Sequence, residues 1–272
     1  MYQEALELYR ELGDKRGMIS QLNSLGVNRR FEGHTSAARA WFEQSLAACR
    51  ELGDQAEIAA VLSNLAKTVS EQNEFLLARS LLVEAQAIFQ RLDDSNGIAW
   101  SLSQLGDVAR REGNSAEASH LYRESANLFR TLGDRWGEAR SYSDLGSLAC
   151  DQGDSKTALS AFREALLAFQ SLGHQRGIAK VLEGLATVAA DQGRDQRALT
   201  LAGAAATLRE LVGAPMRPVD RTKLEKALKG VWDANFSSAT SAWRTGRRMT
   251  LDQSLQYALD MPDFRSAAAI RN

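Results

Sequence analysis

Proline, cysteine and long apolar runs are all scarce in this chain of 272 residues. Its three prolines, Pro215, Pro218 and Pro262, lie near the C-terminus, so no proline interrupts a helix before Pro215. The two cysteines, Cys49 and Cys150, are too far apart to form a metal or redox motif, and we expect reduced thiols and a cytoplasmic protein. No apolar run approaches the roughly 18 residues of a membrane span, and the N-terminus lacks the pattern of a signal peptide.

Motifs that carry chemistry are missing as well. The sequence has no Gly-rich phosphate loop ending in Gly-Lys-Ser or Gly-Lys-Thr, no His-Glu-x-x-His zinc motif and no Gly-x-Ser-x-Gly serine elbow. Aromatic residues make up only 7%, which disfavours a sugar site built on stacked rings. We therefore expect a chain without catalytic activity, cofactor or metal ion.

The formal net charge is -1, which disfavours a protein that coats nucleic acid, because phosphate binding uses clustered Lys and Arg. The distribution of charge is uneven. Residues 1–208 carry 22 basic and 27 acidic side chains, whereas residues 209–248 carry 9 basic and 4 acidic. The basic segment either complements the acidic part of the same chain or docks an acidic partner.

A sequence pattern returns every forty residues. A fixed period of this size indicates a stacked array of supersecondary units. Each unit contains two amphipathic stretches, for example about 96–112 and 115–131, which predict two helices separated by a turn with Gly and Asn. The clearest sign of the repeat is a tetrapeptide with Leu second and, in most copies, Gly-Asp at its end, which begins at Glu11, Glu51, Arg91, Thr131 and Ser171.

Within the repeat, small and large apolar residues occupy fixed columns. Small residues let helices approach closely, and large ones fill the space between them. Cys49 falls in an otherwise aromatic column, which predicts a buried thiol. The Leu column of the first helix is Leu25, Leu65, Leu105, Leu145 and Leu185, and the Ala column of the second helix is Ala38, Ala78, Ala118, Ala158 and Ala198.

Residues 135–174 carry Leu145-Gly146, Gly153, Ala158, Phe162 and Ala165. They resemble the tetratricopeptide repeat, whose signature is Leu-Gly in the first helix, Gly at the turn, and Ala, an aromatic residue and Ala in the second. The period of forty departs from the family's usual length of about 34 residues. The resemblance implies an all-α, right-handed α-α superhelix of five hairpins and a half repeat, with a C-terminal helical cap.

The expected domain boundaries follow from this alignment. The chain starts inside a second helix at 1–14, so we expect a fragment, or a chain that has lost a natural N-terminal continuation. Five repeats follow at about 15–54, 55–94, 95–134, 135–174 and 175–212, and a helical capping region at 213–272. In that region we expect a helix near 221–235, capped by Asp220, and two more near 237–246 and 251–260.

The repeat pattern ends after residue 212. The last part of the chain carries Gly203, Leu208, Arg209, Gly213, Pro215, Pro218, Arg221, Glu225, Phe236, Trp243, Gly246, Arg247, Met249, Leu251, Ala258 and Leu259. These positions resemble the C-terminal end of large bacterial regulators, in which a LuxR-type or other output domain precedes a STAND-type ATPase and then such an array. The resemblance implies a noncatalytic sensor and protein-interaction domain of a signal-transduction or transcription regulator. A self-association module and a receptor for a small-molecule effector remain the alternatives.

In tetratricopeptide folds the first helices line a concave groove, so the resemblance implies which residues meet a ligand. We expect a peptide or protein segment there, the missing N-terminal modules being one candidate, and no direct binding of nucleic acid or membrane. The oligomeric state stays open. Trp100 with Arg111 and Arg140 is a candidate hot spot, because an aromatic ring and a guanidinium desolvate well together. The candidate groove residues are Asn23, Asn64, Lys67, Trp100, Ser103, Gln104, Asp107, Arg111, Arg140, Ser143, Asp144, Asp151 and Lys180.

Overall fold

The computed structural model describes residues 7–9, 11–234 and 236–260. All regular structure in these residues is helical, and the expected all-α class of stacked helical hairpins is confirmed. Residues 7–9 and 11 are helical, whereas residues 1–6 and 10 of the expected helix 1–14, and residues 261–272 of the expected capping region, lie outside the described residues. The helices are α1 Lys15–Phe31, α2 Thr35–Leu52, α3 Gln55–Glu71, α4 Phe75–Arg91, α5 Ser95–Arg111, α6 Ser115–Leu132, α7 Arg135–Asp151, α8 Ser155–Ser171, α9 Gln175–Asp191, α10 Asp195–Leu211, α11 Pro218–Ala234, α12 Phe236–Arg247 and α13 Leu251–Leu259.

Each forty-residue repeat consists of two twenty-residue halves, and a left-handed backbone residue ends each half. Among the described residues, positive φ recurs at every twentieth position from 13 to 213. Glycine, which has no Cβ to clash, takes nine of these positions. The other two are Asn73, with φ of 67°, and Asp93, with φ of 53°. The turns therefore set the common length of α1–α10, 17 or 18 residues.

Gly133→Ala is expected to lower the free energy of unfolding by about 1 kcal/mol, because alanine is strained in the left-handed region. The φ of Gly133 is 73°, and an added Cβ would meet nothing within 4 Å, so the cost is conformational and not steric. Urea unfolding followed by circular dichroism measures the effect. Asp93→Gly is the control, and it is expected to raise the free energy of unfolding, since it relieves strain at the same turn one repeat earlier. Unchanged stability of both variants would contradict the argument.

Side chains at the turns cap the helices that follow, as the aspartates in the sequence predict. His174 takes this role before α9, where its Nδ1 accepts a hydrogen bond from the Gly177 N–H at 3.0 Å. Burial, with a smaller effect from Arg176, lowers the pKa of His174 and so favours the neutral imidazole that this cap requires. At the other repeats the caps are Asp14, Asp54, Asp94 and Asp134, whose oxygens lie 2.9 to 3.2 Å from the backbone nitrogens.

The chain forms two compact units, one up to Leu128 and one from Phe129 onward. In the first unit, aromatic side chains of second helices fill the space beside glycines of first helices. Phe42 is fully buried, and a Cβ on Gly26 would lie 2.6 Å from its ring. Tyr122 packs against Gly106 in the same way, and Cys49 is fully buried, as predicted. The predicted Leu column is at most 9% exposed in either unit, and the predicted Ala column is 0% exposed.

In the second unit, α7–α10 continue the repeat, and α11, α12 and α13 pack against its last two helices. The first of these begins at Pro218 instead of near residue 221, because a proline at the first helical position sacrifices no helical hydrogen bond. Asp220 therefore lies inside the first turn, where its carboxylate accepts a 2.7 Å hydrogen bond from Arg217. The prediction that Asp220 caps this helix is wrong. The bounds of α12 and α13 agree with the predicted helices.

Candidate functional site

In the first unit, the candidate groove residues on α1 and α3 form a polar contact between successive first helices. The side-chain amide of Asn64 donates a hydrogen bond to the amide oxygen of Asn23 at 3.0 Å. Lys67 follows on the same helix, one turn after Asn64, and is partly buried. The structure therefore brings Asn23 and Asn64 into direct contact.

On α5, the candidate residues differ widely in exposure. Arg111 is exposed, and Trp100 and Asp107 are partly buried. Asp107 accepts a 2.7 Å hydrogen bond from the Tyr122 hydroxyl, so this carboxylate also fixes a core aromatic residue of α6. The side of α5 that remains open therefore combines an indole, a carboxylate and a guanidinium.

Four of the candidate residues are buried. Ser103 is 0% and Ser143 is 1% exposed, and Ser63 at the same repeat position is 8% exposed. Gln104 and Asp144 are 9% and 5% exposed. The expectation that these four side chains lie on an open surface is therefore not met. Ser103 and Ser143 are small enough to fit close helix packing at their positions.

In the second unit, two cations of successive first helices converge on one buried carboxylate. The guanidinium Nε of Arg140 lies 3.3 Å from Asp144 Oδ2, and the Lys180 ammonium donates to Oδ1 at 2.7 Å. Asp144 has 7% of its side chain exposed, against 26% for Arg140 and 40% for Lys180. The carboxylate holds both cations in place while each of them keeps part of its surface accessible.

A second buried ion pair lies in the same unit and was not among the candidate residues. Arg209 of α10 donates two hydrogen bonds to the carboxylate of Glu183 on α9, one from Nε and one from Nη2 at 2.8 Å. Burial raises the pKa of Glu183, and Arg209 opposes this increase. The sequence signal was present, since Glu183 is the one acid in a column that otherwise holds Asn23, Ser63, Ser103 and Ser143.

The basic segment 209–248 pairs with acids of the repeat array. Arg209 pairs with Glu183, as described above. The ammonium of Lys223 on α11 lies 3.5 Å from the carboxylate of Asp151, the last candidate groove residue of α7. Arg247 of α12 donates two hydrogen bonds, at 2.7 and 2.8 Å, to Glu210, an acid of the segment itself at the end of α10. The pairs of Arg209 and Lys223 favour internal complementarity as the role of the basic segment over docking of an acidic partner. Lys223 is a residue that the repeat columns did not identify.

Metal ligation and membrane insertion find no support in the described residues. Within residues 7–9, 11–234 and 236–260, no three His, Cys, Asp or Glu side chains are grouped so that they could hold a metal ion. None of the helices described above combines the length and the apolar character needed to span a bilayer.

Comparisons with known proteins agree on the fold. A family model of the tetratricopeptide repeat matches residues 57–131 and 137–210. No curated protein matches the sequence. Among solved structures, BtubC from P. vanneervenii is 20% identical with a TM-score of 0.61, and the match covers 79% of this chain and 91% of BtubC.

Two Rap structures are also similar. The apo form of RapI is 14% identical with a TM-score of 0.65, over 91% of this chain and 89% of RapI. A Rap protein complexed with Competence and Sporulation Factor is 12% identical with a TM-score of 0.64, over 100% of this chain and 85% of the Rap chain. At these identities the likeness concerns the fold alone. Since the repeat model matches more than half of its residues, the chain belongs to the tetratricopeptide repeat family.

Proposed function

We propose that this chain is a noncatalytic binding module that holds a peptide or protein segment on the exposed side of its first helices. The observation that carries the proposal is the convergence of Arg140 and Lys180 on the buried Asp144. The three groups sum to one positive charge, and both cations are partly exposed. A carboxylate of the bound segment would gain charge-assisted hydrogen bonds there without displacing the internal acid.

The ammonium of Lys180 makes this geometry suitable for a ligand. It has three donors, and its bond to Asp144 uses one of them. Because Asp144 is buried and fixed between two cations, Lys180 loses little side-chain freedom when a ligand arrives. An acidic side chain or a C-terminal carboxylate fits this position better than a neutral or basic group.

One comparison with a solved structure supports a binding role for the module. A Rap protein of similar fold was solved in complex with Competence and Sporulation Factor. The C-terminal region of this chain also resembles that of bacterial multidomain regulators, and we include a sensor role in such a regulator in the proposal. A bound ligand then shifts the regulator between two arrangements of its modules only if the ligand binds one arrangement more tightly than the other.

Binding of random linear peptides displayed on phage tests the proposed function. The purified chain is expected to enrich peptides that contain an acidic side chain, and a synthetic enriched peptide is expected to bind measurably by calorimetry. The variant Arg140→Gln/Asp144→Asn/Lys180→Gln removes the charges but retains hydrogen-bonding groups, so the helices remain packed. It is expected to bind that peptide about tenfold more weakly or worse, since a charged hydrogen bond contributes more than 1.4 kcal/mol.

A matched control removes charges from the outer side of the same unit. Lys156→Gln/Arg163→Gln changes two cations of α8, which lie outside the network around Asp144. This control is expected to bind like the wild type. Failure to enrich acidic peptides, or equal affinity of the triple variant and the wild type, would refute the proposed site.

A further inference from the structure

The solvent-facing side of α4 carries large apolar side chains, unlike the matching positions of the other second helices. Leu76 is 85% exposed, Val83 is 58% exposed and Leu77 is 37% exposed. Leu76 has the highest exposure of the large apolar side chains in the described residues. At the matching positions of other second helices the residues are small, polar or charged, namely Ser36, Ala116 and Lys156 for Leu76, and Glu43, Arg123 and Arg163 for Val83. Solvent exposure of these leucines therefore does not follow from the repeat.

The same helix also forms one wall of an open groove of about 690 Å³. Its apolar part consists of Ile58 from α3 and of Ala87 and Ile88 from α4, and Arg50 and Arg91 lie among the polar residues that line it. Such a groove accepts one apolar side chain on its floor while its rim stays polar. An exposed leucine of suitable position is the chemical complement of this site.

Leu76 and the groove are spaced along α4 so that a two-fold axis between two copies of the chain can bring them together. Leu76 and Ala87 are eleven residues apart, which is about three helical turns or roughly 16 Å, so both lie on one side of α4. We propose that two copies of this chain associate through antiparallel α4 helices about a two-fold axis between Ser80 and Val83. Each Leu76 then enters the groove of the other copy. One contact is thereby made twice, as an isologous interface requires.

The charges beside the two contact points are complementary. On the α2 side of the start of α4, near Leu76, Arg39 donates hydrogen bonds to Glu74 at 2.7 Å and to Glu43 at 2.8 Å, so this cluster has a net charge of -1. The groove is lined by two arginines and by Glu84, which lies 2.9 Å from Arg50, and its net charge is +1. The antiparallel arrangement places the acidic cluster of one copy beside the basic rim of the other. A parallel arrangement would bring like charges together.

The crossing point itself permits close approach. Ser80 is exposed and small, and in the antiparallel pair it lies opposite Val83 of the other copy. Two helices whose contact positions are small at the centre can approach closely enough to bury Leu76 and Val83. The removal of these leucine and valine side chains from water supplies the driving force for association.

Light scattering across a concentration series tests the association. The wild type is expected to change from monomer to dimer as its concentration rises, and Leu76→Glu is expected to abolish the dimer at every concentration used. Leu211→Glu, at a side chain that is 73% exposed in the second unit, is the matched control and is expected to dimerise like the wild type. A wild type that is monomeric throughout, or a dimer that Leu76→Glu does not weaken, would overturn the proposal.

Disulfide trapping tests the register. Ser80→Cys/Val83→Cys is expected to give a covalent dimer on oxidation, because each new thiol faces one of the partner copy. The control Ser160→Cys/Arg163→Cys places the same pair at the equivalent positions of α8 and is expected to remain monomeric. Equal cross-linking of both variants, or of neither, would refute the antiparallel contact. The proposed peptide site uses α7 and α9, so failure of one proposal leaves the other standing.

Discussion

Gly246→Ala is expected to lower the free energy of unfolding by about 3 kcal/mol or more, the upper range for overpacking of a well-packed site. A Cβ at this position would lie 1.9 Å from the carbonyl oxygen of Thr200 and 2.9 Å from the backbone nitrogen of Ala204. Both neighbours are backbone atoms of α10, so no flexible side chain can yield. The helices α10 and α12 must therefore move apart.

Other contacts of the same helix pair show what such a movement would break. A Cβ on Gly203 would lie 2.4 Å from the carbonyl oxygen of Trp243, so the close approach involves both helices. The hydroxyl of Thr207 donates to the Arg247 carbonyl at 3.0 Å, and the hydroxyl of Thr200 donates to the Ala242 carbonyl at 3.2 Å. Separation of the helices lengthens these bonds in addition to relieving the clash.

Urea unfolding measures the loss, and hydrogen exchange locates it in α10 and α12. Gly230→Ala is the matched control, because Gly230 lies inside α11 and an added Cβ there meets nothing within 4 Å. That variant is expected to gain about 0.8 kcal/mol from helix propensity. If Gly246→Ala were as stable as the wild type, the two helices would not be in backbone contact.

The repeat fold was predictable because its determinants are local. A turn that needs positive φ selects glycine, and Gly113 and Gly133 mark the turn inside one hairpin and the turn after it in the sequence. The twenty-residue half period was harder to see, since Asn73 and Asp93 occupy two of the turn positions. Asn and Asp also occur at helix caps, so the residue type alone does not distinguish a left-handed turn from a cap.

The candidate site was predictable only in part, because residue type does not report burial. A serine is both polar and small, so the polarity of Ser103 indicates an open groove although its buried position requires a small side chain. Arg209 and Lys223 were missed for another reason. Their partners are 26 and 72 residues away, so no periodic column links the pairs. The first contact depends on how α10 packs on α9 and the second on how α11 packs beside α7, and neither is shown by comparing residues forty positions apart.

Arg209→Ala is expected to lower the free energy of unfolding by about 3 to 5 kcal/mol at pH 8, the usual cost of leaving a buried charge without its partner. Glu183 and Arg209 have only 10% and 12% of their side chains exposed. Arg209 also donates a 3.2 Å hydrogen bond to the carbonyl of Ala214, which the substitution removes as well. Urea titration of the wild type and the variant gives the difference.

The pH dependence of the stability of Arg209→Ala distinguishes the cost of the unpaired Glu183 charge from the cost of lost packing. Burial already raises the pKa of Glu183 above its ordinary value of 4.5, and removal of Arg209 takes away the main opposing effect. Between the unfolded and the folded pKa, the native variant holds a proton that the unfolded chain has released, so its stability rises as pH falls through that range. The deficit of Arg209→Ala is therefore expected to shrink when the titration is repeated at about pH 5.

A second substitution supplies the control. Glu183→Ser restores the residue type found at Ser63, Ser103 and Ser143, and in the Arg209→Ala background it removes the unpaired carboxylate. The double variant is expected to recover much of the lost stability and to lose the pH dependence, because only packing and one backbone hydrogen bond are then missing. A deficit that stays constant with pH, or a double variant no more stable than Arg209→Ala, would mean that Glu183 does not depend on Arg209. The pair would then contribute packing to this unit and no electrostatic constraint between α9 and α10.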